Sequence, residues 1–183
     1  MSVNNPVCPV GCSGLLPSID FDACSPDVFF GEIRKIYLMA YSGANLLNWE
    51  SLAVWTARIS ADGVDVDDIR EFTVSADLPV GESDEIIISD NRIIASPKTF
   101  TLNVDIDDVS DLNYEWMRSS ECGNLVKLWF ATEDLLFGGN TGIAVNAMFS
   151  YMIERGYKTV HKISGTFKWD SQFSPERTTN PMA

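Results

Sequence analysis

The feature that most constrains the fold is a strict alternation at residues 98–106. Phe100, Leu102, Val104 and Ile106 alternate with Thr99, Thr101, Asn103 and Asp105. A period of two puts all four apolar side chains on one face of a strand and the polar ones on the other. Such a strand must lie in a sheet with one covered face and one wet face. The chain then turns acidic at Asp105, Asp107, Asp108 and Asp111, and a short amphipathic helix is expected near 111–119. Ser110 is the expected N-cap, Leu112 and Trp116 the residues that seat the helix, and Gly123 its C-terminal stop.

The same pattern recurs along the chain. Residues 31–40 and 125–131 are apolar runs with strand composition. Residues 69–76, 85–89 and 157–169 also read as strands, with Gly165 an expected bulge, and 143–154 reads as helix or strand, its alternation favouring strand. A helix over 49–59, capped by Asn48, carries Trp49, Leu52, Trp55 and Ile59 on one face that docks on the sheet. The segment Gly138, Gly139, Asn140, Thr141, Gly142 has the composition of a flexible hairpin tip. Strands outnumber helices and do not alternate with them. The expected fold is mainly β: an antiparallel sandwich or barrel with one or two short flanking α-helices and extended arms. The expected organisation is a proline-rich arm over 1–28, one β-rich domain over 29–172, and a second arm over 173–183.

Composition narrows the function more by exclusion. A formal charge of -13, with only 13 Lys and Arg scattered along 183 residues, disfavours nucleic-acid binding. No apolar run is long enough for a membrane-spanning helix, and the N-terminus does not read as a secretory signal. The lone His161 lies in a strand pattern with no placed nucleophile, and no phosphate loop or dinucleotide fingerprint occurs. No catalytic residue and no cofactor is therefore expected. Cys8 and Cys12 have a spacing that allows a metal knuckle with Cys24 and Cys122. Only one close pair exists, however, so free or packing thiols are expected instead of a metal site. Two acidic sets, Asp62, Asp65, Asp67, Asp68 and Asp105, Asp107, Asp108, Asp111, lack the order of a calcium loop and read as turn and helix caps.

The stretches DLPVGESDEIIISDNR (77–92), KTFTLNVDIDD (98–108), NYEWMRSSECG (113–123) and WFATEDLLFGG (129–139) resemble virion structural proteins of tailed phages that infect Bacteroidetes, crAss-like phages among them. The resemblance covers about the second half of the chain. It implies a tail-tube or neck-ring type subunit, a homo-oligomeric ring around a DNA channel that also meets other virion proteins. DNA would pass without specific binding, and the protein would reside in the virion after assembly in the host cytoplasm. The expected assembly contacts are Cys8 and Cys12 in the arm, Phe29 and Phe30 at its junction, and Phe137, Gly138, Gly139 and Asn140 in the glycine segment. A carbohydrate-binding or host-recognition module is the alternative, since five Trp and five Tyr can supply stacking faces.

Overall fold

The computed structural model describes residues 31–59, 65–82, 97–123, 125–153 and 160–183, and the backbone of short strands at 3–4, 85–88 and 92–95. In chain order the elements are β1 (Val3–Asn4), β2 (Ile33–Ala40), α1 (Leu52–Arg58), β3 (Arg70–Ala76), β4 (Glu85–Ile88), β5 (Arg92–Ala95), β6 (Lys98–Ile106), α2 (Asp111–Ser120), β7 (Leu125–Ala131), β8 (Leu135–Phe137), β9 (Ile143–Met152), β10 (Lys162–Ser171) and β11 (Arg177–Thr179).

Of the two architectures expected, the barrel is the one found. Strands β2, β3, β6, β10, β9 and β7 close on themselves, each antiparallel to both neighbours. Inward positions follow the period of two. Val74, Leu102, Val145 and Phe167 fill the interior, while Asn103, Asn146 and Lys168 face outward. Gly165 is not a bulge. It pairs in register with both Val104 and Phe149, and a Cβ there would overlap the Phe149 ring. The missing side chain gives that ring its place inside the barrel.

Strands β2 and β7 are largely apolar on both faces over their central residues, because both faces are covered there. Ile36, Leu38, Leu128 and Phe130 point into the barrel. Tyr37, Met39, Trp129 and Ala131 point outward into a second core beneath α1, formed with Leu46, Trp49, Trp55 and Ile69. The helix docks on the sheet as expected, but it begins at Leu52 with Ser51 as its N-cap, not at Trp49 behind Asn48. The backbone of Trp49 is engaged elsewhere. Its N–H donates to Asn140 Oδ1 at 3.2 Å, and its carbonyl accepts the Trp55 indole N–H at 2.7 Å.

Helix α2 closes one end of the barrel. Trp116 lies between Phe72 and Phe149, with ring centroids 4.6 and 4.8 Å away, and Met117 is buried beside it. Leu112 does not seat the helix; it is 78% exposed. The helix meets the barrel through Tyr114, edge-on against Tyr151 of β9, and through Trp116 and Met117, which leaves Leu112 beyond the contact. Ser110 occupies the N-cap position, but its side chain makes no cap bond. Asp108 forms an Asx turn just ahead of the helix, accepting the Ser110 N–H at 3.2 Å. Gly123 ends the helix region, its N–H donating to Ser120 O.

The glycine segment 138–142 is neither a hairpin tip nor a free loop. The tip between β7 and β8 lies at 132–135, where the Thr132 N–H donates to Leu135 O at 2.9 Å. Strands β8 and β9 share one edge of β7, and 138–142 is the excursion between them. It wraps the buried Trp129 ring, whose Nε1–H donates to Gly139 O at 2.7 Å. Asn140 O accepts the Leu46 N–H at 2.8 Å. Gly138 and Gly142 have φ of +132° and +68°, and a Cβ at either would overlap the Trp129 ring.

The 173–183 segment, expected as an arm, is paired to the barrel in part. Strand β11 is antiparallel to β8, and the buried Asn180 side chain donates to Thr132 O at 3.1 Å and Glu133 O at 3.3 Å. At the other terminus, β1 pairs in parallel with Asp170 and Ser171 of β10.

Two substitutions test these assignments. Val104→Asp places a carboxylate where exposure is 1%, and should leave no cooperative thermal transition. Asp107→Asn, on the exposed turn after β6, should leave the melting temperature unchanged. Separately, Gly142→Ala should cost about 2 kcal/mol or more in urea titration, because the ring and the positive φ act together.

Candidate functional site

The two ends of the barrel are unlike. One is plugged by α2. At the other, Phe100 stacks on Trp169 (centroids 5.3 Å apart, 5° between planes) and Phe130 stacks on Phe137 (5.0 Å, 17°). Phe100, Phe130 and Phe137 floor a cavity of about 370 Å³. Leu78 and Pro79, from the segment after β3, form one wall; Ser174, Pro175 and Arg177, before and in β11, form the other. Gly81 passes directly over the Phe100 ring, where a Cβ would sit 2.7 Å from it. Beside it, Glu82 and Thr99 exchange both backbone hydrogen bonds, at 3.0 and 2.8 Å. That bridge roots a separate two-stranded ribbon, β4 with β5, which is not part of the barrel sheet. Strand β1 also pairs at this end, next to Trp169. The ribbon root, β1, the segment leading into β11 and the cavity thus share one end of the molecule.

The expected contact residues divide into two groups. Cys8, Cys12, Phe29 and Phe30 lie outside the described residues, as do Cys24 and Asp62. Phe137 lies in the barrel core beneath the cavity, while Gly138, Gly139 and Asn140 hold Trp129 and the segment before α1. Cys122 is exposed and free.

The acidic residues serve local structure. Asp67 Oδ1 accepts the Ala44 N–H at 2.6 Å, and Asp68 Oδ2 accepts the Asp65 N–H at 3.0 Å. Asp105 pairs with Lys162 at 2.9 Å. Asp68 has the turn-capping role expected, whereas Asp67 holds a turn distant in sequence and Asp105 makes a cross-strand ion pair. His161 Nδ1 lies 2.8 Å from the exposed Tyr151 hydroxyl, with no nucleophile placed against it among the described residues. None of the five tryptophans presents an open face. Trp49, Trp55, Trp129 and Trp169 are buried, and Trp116 is wedged under α2. The stacking surface that a carbohydrate-binding module needs is not supplied by these residues.

Two buried polar groups lie under α1, and neither was evident from the sequence. Lys127, on the outer face of β7, donates from Nζ to Gly43 O at 2.6 Å and to Asn45 Oδ1 at 2.7 Å. Burial lowers its pKa, the Arg58 charge lowers it further, and Asp67 opposes both. Arg58 donates to Ala44 O at 2.8 Å, so Lys127, Arg58 and Asp67 all clasp the 43–45 turn. The cluster is a backbone clamp with its donors satisfied. The Tyr37 hydroxyl, by contrast, is buried with no well-formed hydrogen bond, the Glu71 carboxylate being the acceptor nearby. Its pKa is raised by burial first and by the Glu71 carboxylate second.

No family model, curated protein or solved structure is significantly similar to the chain.

Tyr37→Phe should stabilise the fold by at most about 1 kcal/mol, since it removes a buried hydroxyl that forms no well-made hydrogen bond. The sign of the pH effect follows from the raised pKa. The neutral phenol's contribution is complete below the unfolded value of about 10 and is lost as pH rises above it, because the unfolded chain ionises first. The variant's advantage in chemical denaturation should therefore widen above pH 10. Equal alkaline loss in both proteins would refute the assignment.

Proposed function

We propose that the protein is a non-enzymatic virion structural subunit of a tailed phage, one that assembles into a ring or tube around a DNA channel. The observation that carries this reading is the β4–β5 ribbon. It forms a sheet of its own, attached through the Glu82–Thr99 bridge. A lone two-stranded ribbon is at best marginally stable in water. Its register sets Ile86 opposite Ile94 and Ile87 opposite Ile93, so isoleucine occupies register positions of both faces. A ribbon of this composition gains its stability from a neighbouring surface. Beside its root, Leu78 and Val80 are 53% and 80% exposed, which extends the apolar strip along the same end. A contact between a ribbon and a different patch on the next copy is heterologous and closes into a ring or continues as a tube.

The charge supports the same reading. A subunit of formal charge -13 lines a channel that DNA crosses without adhering. The resemblance of 77–92 and 98–108 to phage virion proteins falls on the ribbon and on the strand after it.

Native mass spectrometry of the full chain at rising concentration should give one closed oligomer or a growing series, and negative-stain microscopy should show rings or tubes. Ile87→Lys combined with Ile93→Lys should yield a monomer with unchanged circular dichroism. A strictly monomeric wild type at high concentration would sink the proposal.

A further inference from the structure

We infer that the cavity at the ribbon end of the barrel is a binding site for a small apolar carboxylate, an acid with an aromatic or short aliphatic body. Its floor is set before any ligand arrives. Phe100 and Phe130 are almost wholly buried, and each ring is fixed by a parallel neighbour, Trp169 for the first and Phe137 for the second. Pro79 and Pro175 stiffen opposite walls, since proline fixes φ. A preformed apolar hollow of about 370 Å³ is the usual form of a small-molecule site, at the lower end of the customary size.

The polar groups choose the ligand's charge. Acidic residues outnumber basic ones 26 to 13 in this chain, yet no carboxylate lines the cavity. Its polar side chains are the Ser174 hydroxyl and the Arg177 guanidinium, both exposed at the rim. Three of the other described cations are ion-paired, Lys35 with Glu71, Lys162 with Asp105 and Arg34 with Glu133. Arg177 has no carboxylate within ion-pair distance among the described residues. The Glu176 side chain beside it lies against Gly139 instead. A guanidinium presents a planar fork that matches a carboxylate with two parallel hydrogen bonds. Set at the mouth of an aromatic hollow, it selects a molecule with an apolar body and an anionic head. An ammonium head would meet like charge, and a neutral head would forgo the ion pair.

This site shares Leu78 with the apolar strip but does not rest on the assembly reading. It is tested on the full-length protein with 3-phenylpropionate as probe and 3-phenylpropanol as its uncharged counterpart, by calorimetry and by saturation-transfer NMR. The acid should bind saturably and at least tenfold more tightly than the alcohol. Arg177→Gln should abolish that preference while leaving weak binding of the alcohol. Leu78→Asp, at a half-exposed wall position that tolerates charge, should abolish binding of both with no change in melting temperature. Equal affinity for acid and alcohol, no saturable binding, or an unchanged preference in Arg177→Gln would each overturn the inference. Binding only to dissociated subunits would assign the cavity to a second copy of the chain, and would overturn it too.

Discussion

Barrel closure depends on β9, which alone bridges β7 and β10. One edge pairs with β7 from Leu128↔Ile143 to Leu125↔Asn146, and the other with β10 from Lys168↔Asn146 to Lys162↔Met152. Asn146 belongs to both ladders and marks the crossing from one strand to the other. Without β9 the sheet would present two long open edges, each a template for uncontrolled pairing. With it, Ile143, Val145, Ala147 and Phe149 complete the interior. The segment that delivers β9 to its place is the glycine excursion over Trp129. The indole, its hydrogen bond to Gly139 O and the contacts of Asn140 fix where β8 ends and β9 begins. Closure of the barrel and packing of the outer core are thus coupled through one side chain.

That coupling explains the composition of β2 and β7. A barrel strand normally has one wet face. Over their central residues these two have none, because Trp129, Tyr37 and Trp55 form a tilted and edge-on aromatic cluster on the outside, at centroid distances of 5.0 and 5.7 Å. The layer is sealed by the clamp of Lys127, Arg58 and Asp67 on the 43–45 turn. Burial there costs Lys127 part of its charge preference, and two oxygen acceptors offset that cost.

Much of this was legible in the sequence where one face of an element is wet. The alternations in β3, β6 and β10 give strand, face and core residues directly, that in β9 favours strand over helix, and the helix docked on the sheet follows from Trp55. What escaped reading was set by tertiary contacts. Glycines at 138 and 142 announce unusual backbone, but the same letters serve a hairpin tip or a close approach to an indole. The start of α1 is decided by Asn140, far away in sequence. Strand β11 is three residues long and owes its existence to the edge of β8. The cavity was illegible because its floor comes from β6, β7 and β8, and its two walls from chain segments almost a hundred residues apart.

The weakest joint of the barrel lies where the ribbon departs. Strands β3 and β6 share a single ladder pair, Ser75↔Asp105, whereas β6 and β10 pair along their whole length. Beside that pair, Ser75, Asp77, Asn103 and Asp105 line a polar hollow of about 270 Å³ in which water can stand in for the missing ladder bonds. The chain between the two strands carries the ribbon, the Gly81 crossing over Phe100 and the Leu78 wall of the cavity. A surface that gripped the ribbon, or a ligand that filled the cavity, would bear on the least bonded seam of the barrel. Either would raise the cost of opening that seam, because each would hold together segments that few backbone hydrogen bonds join. The fold therefore places both of its candidate recognition features where binding has the most stability to add.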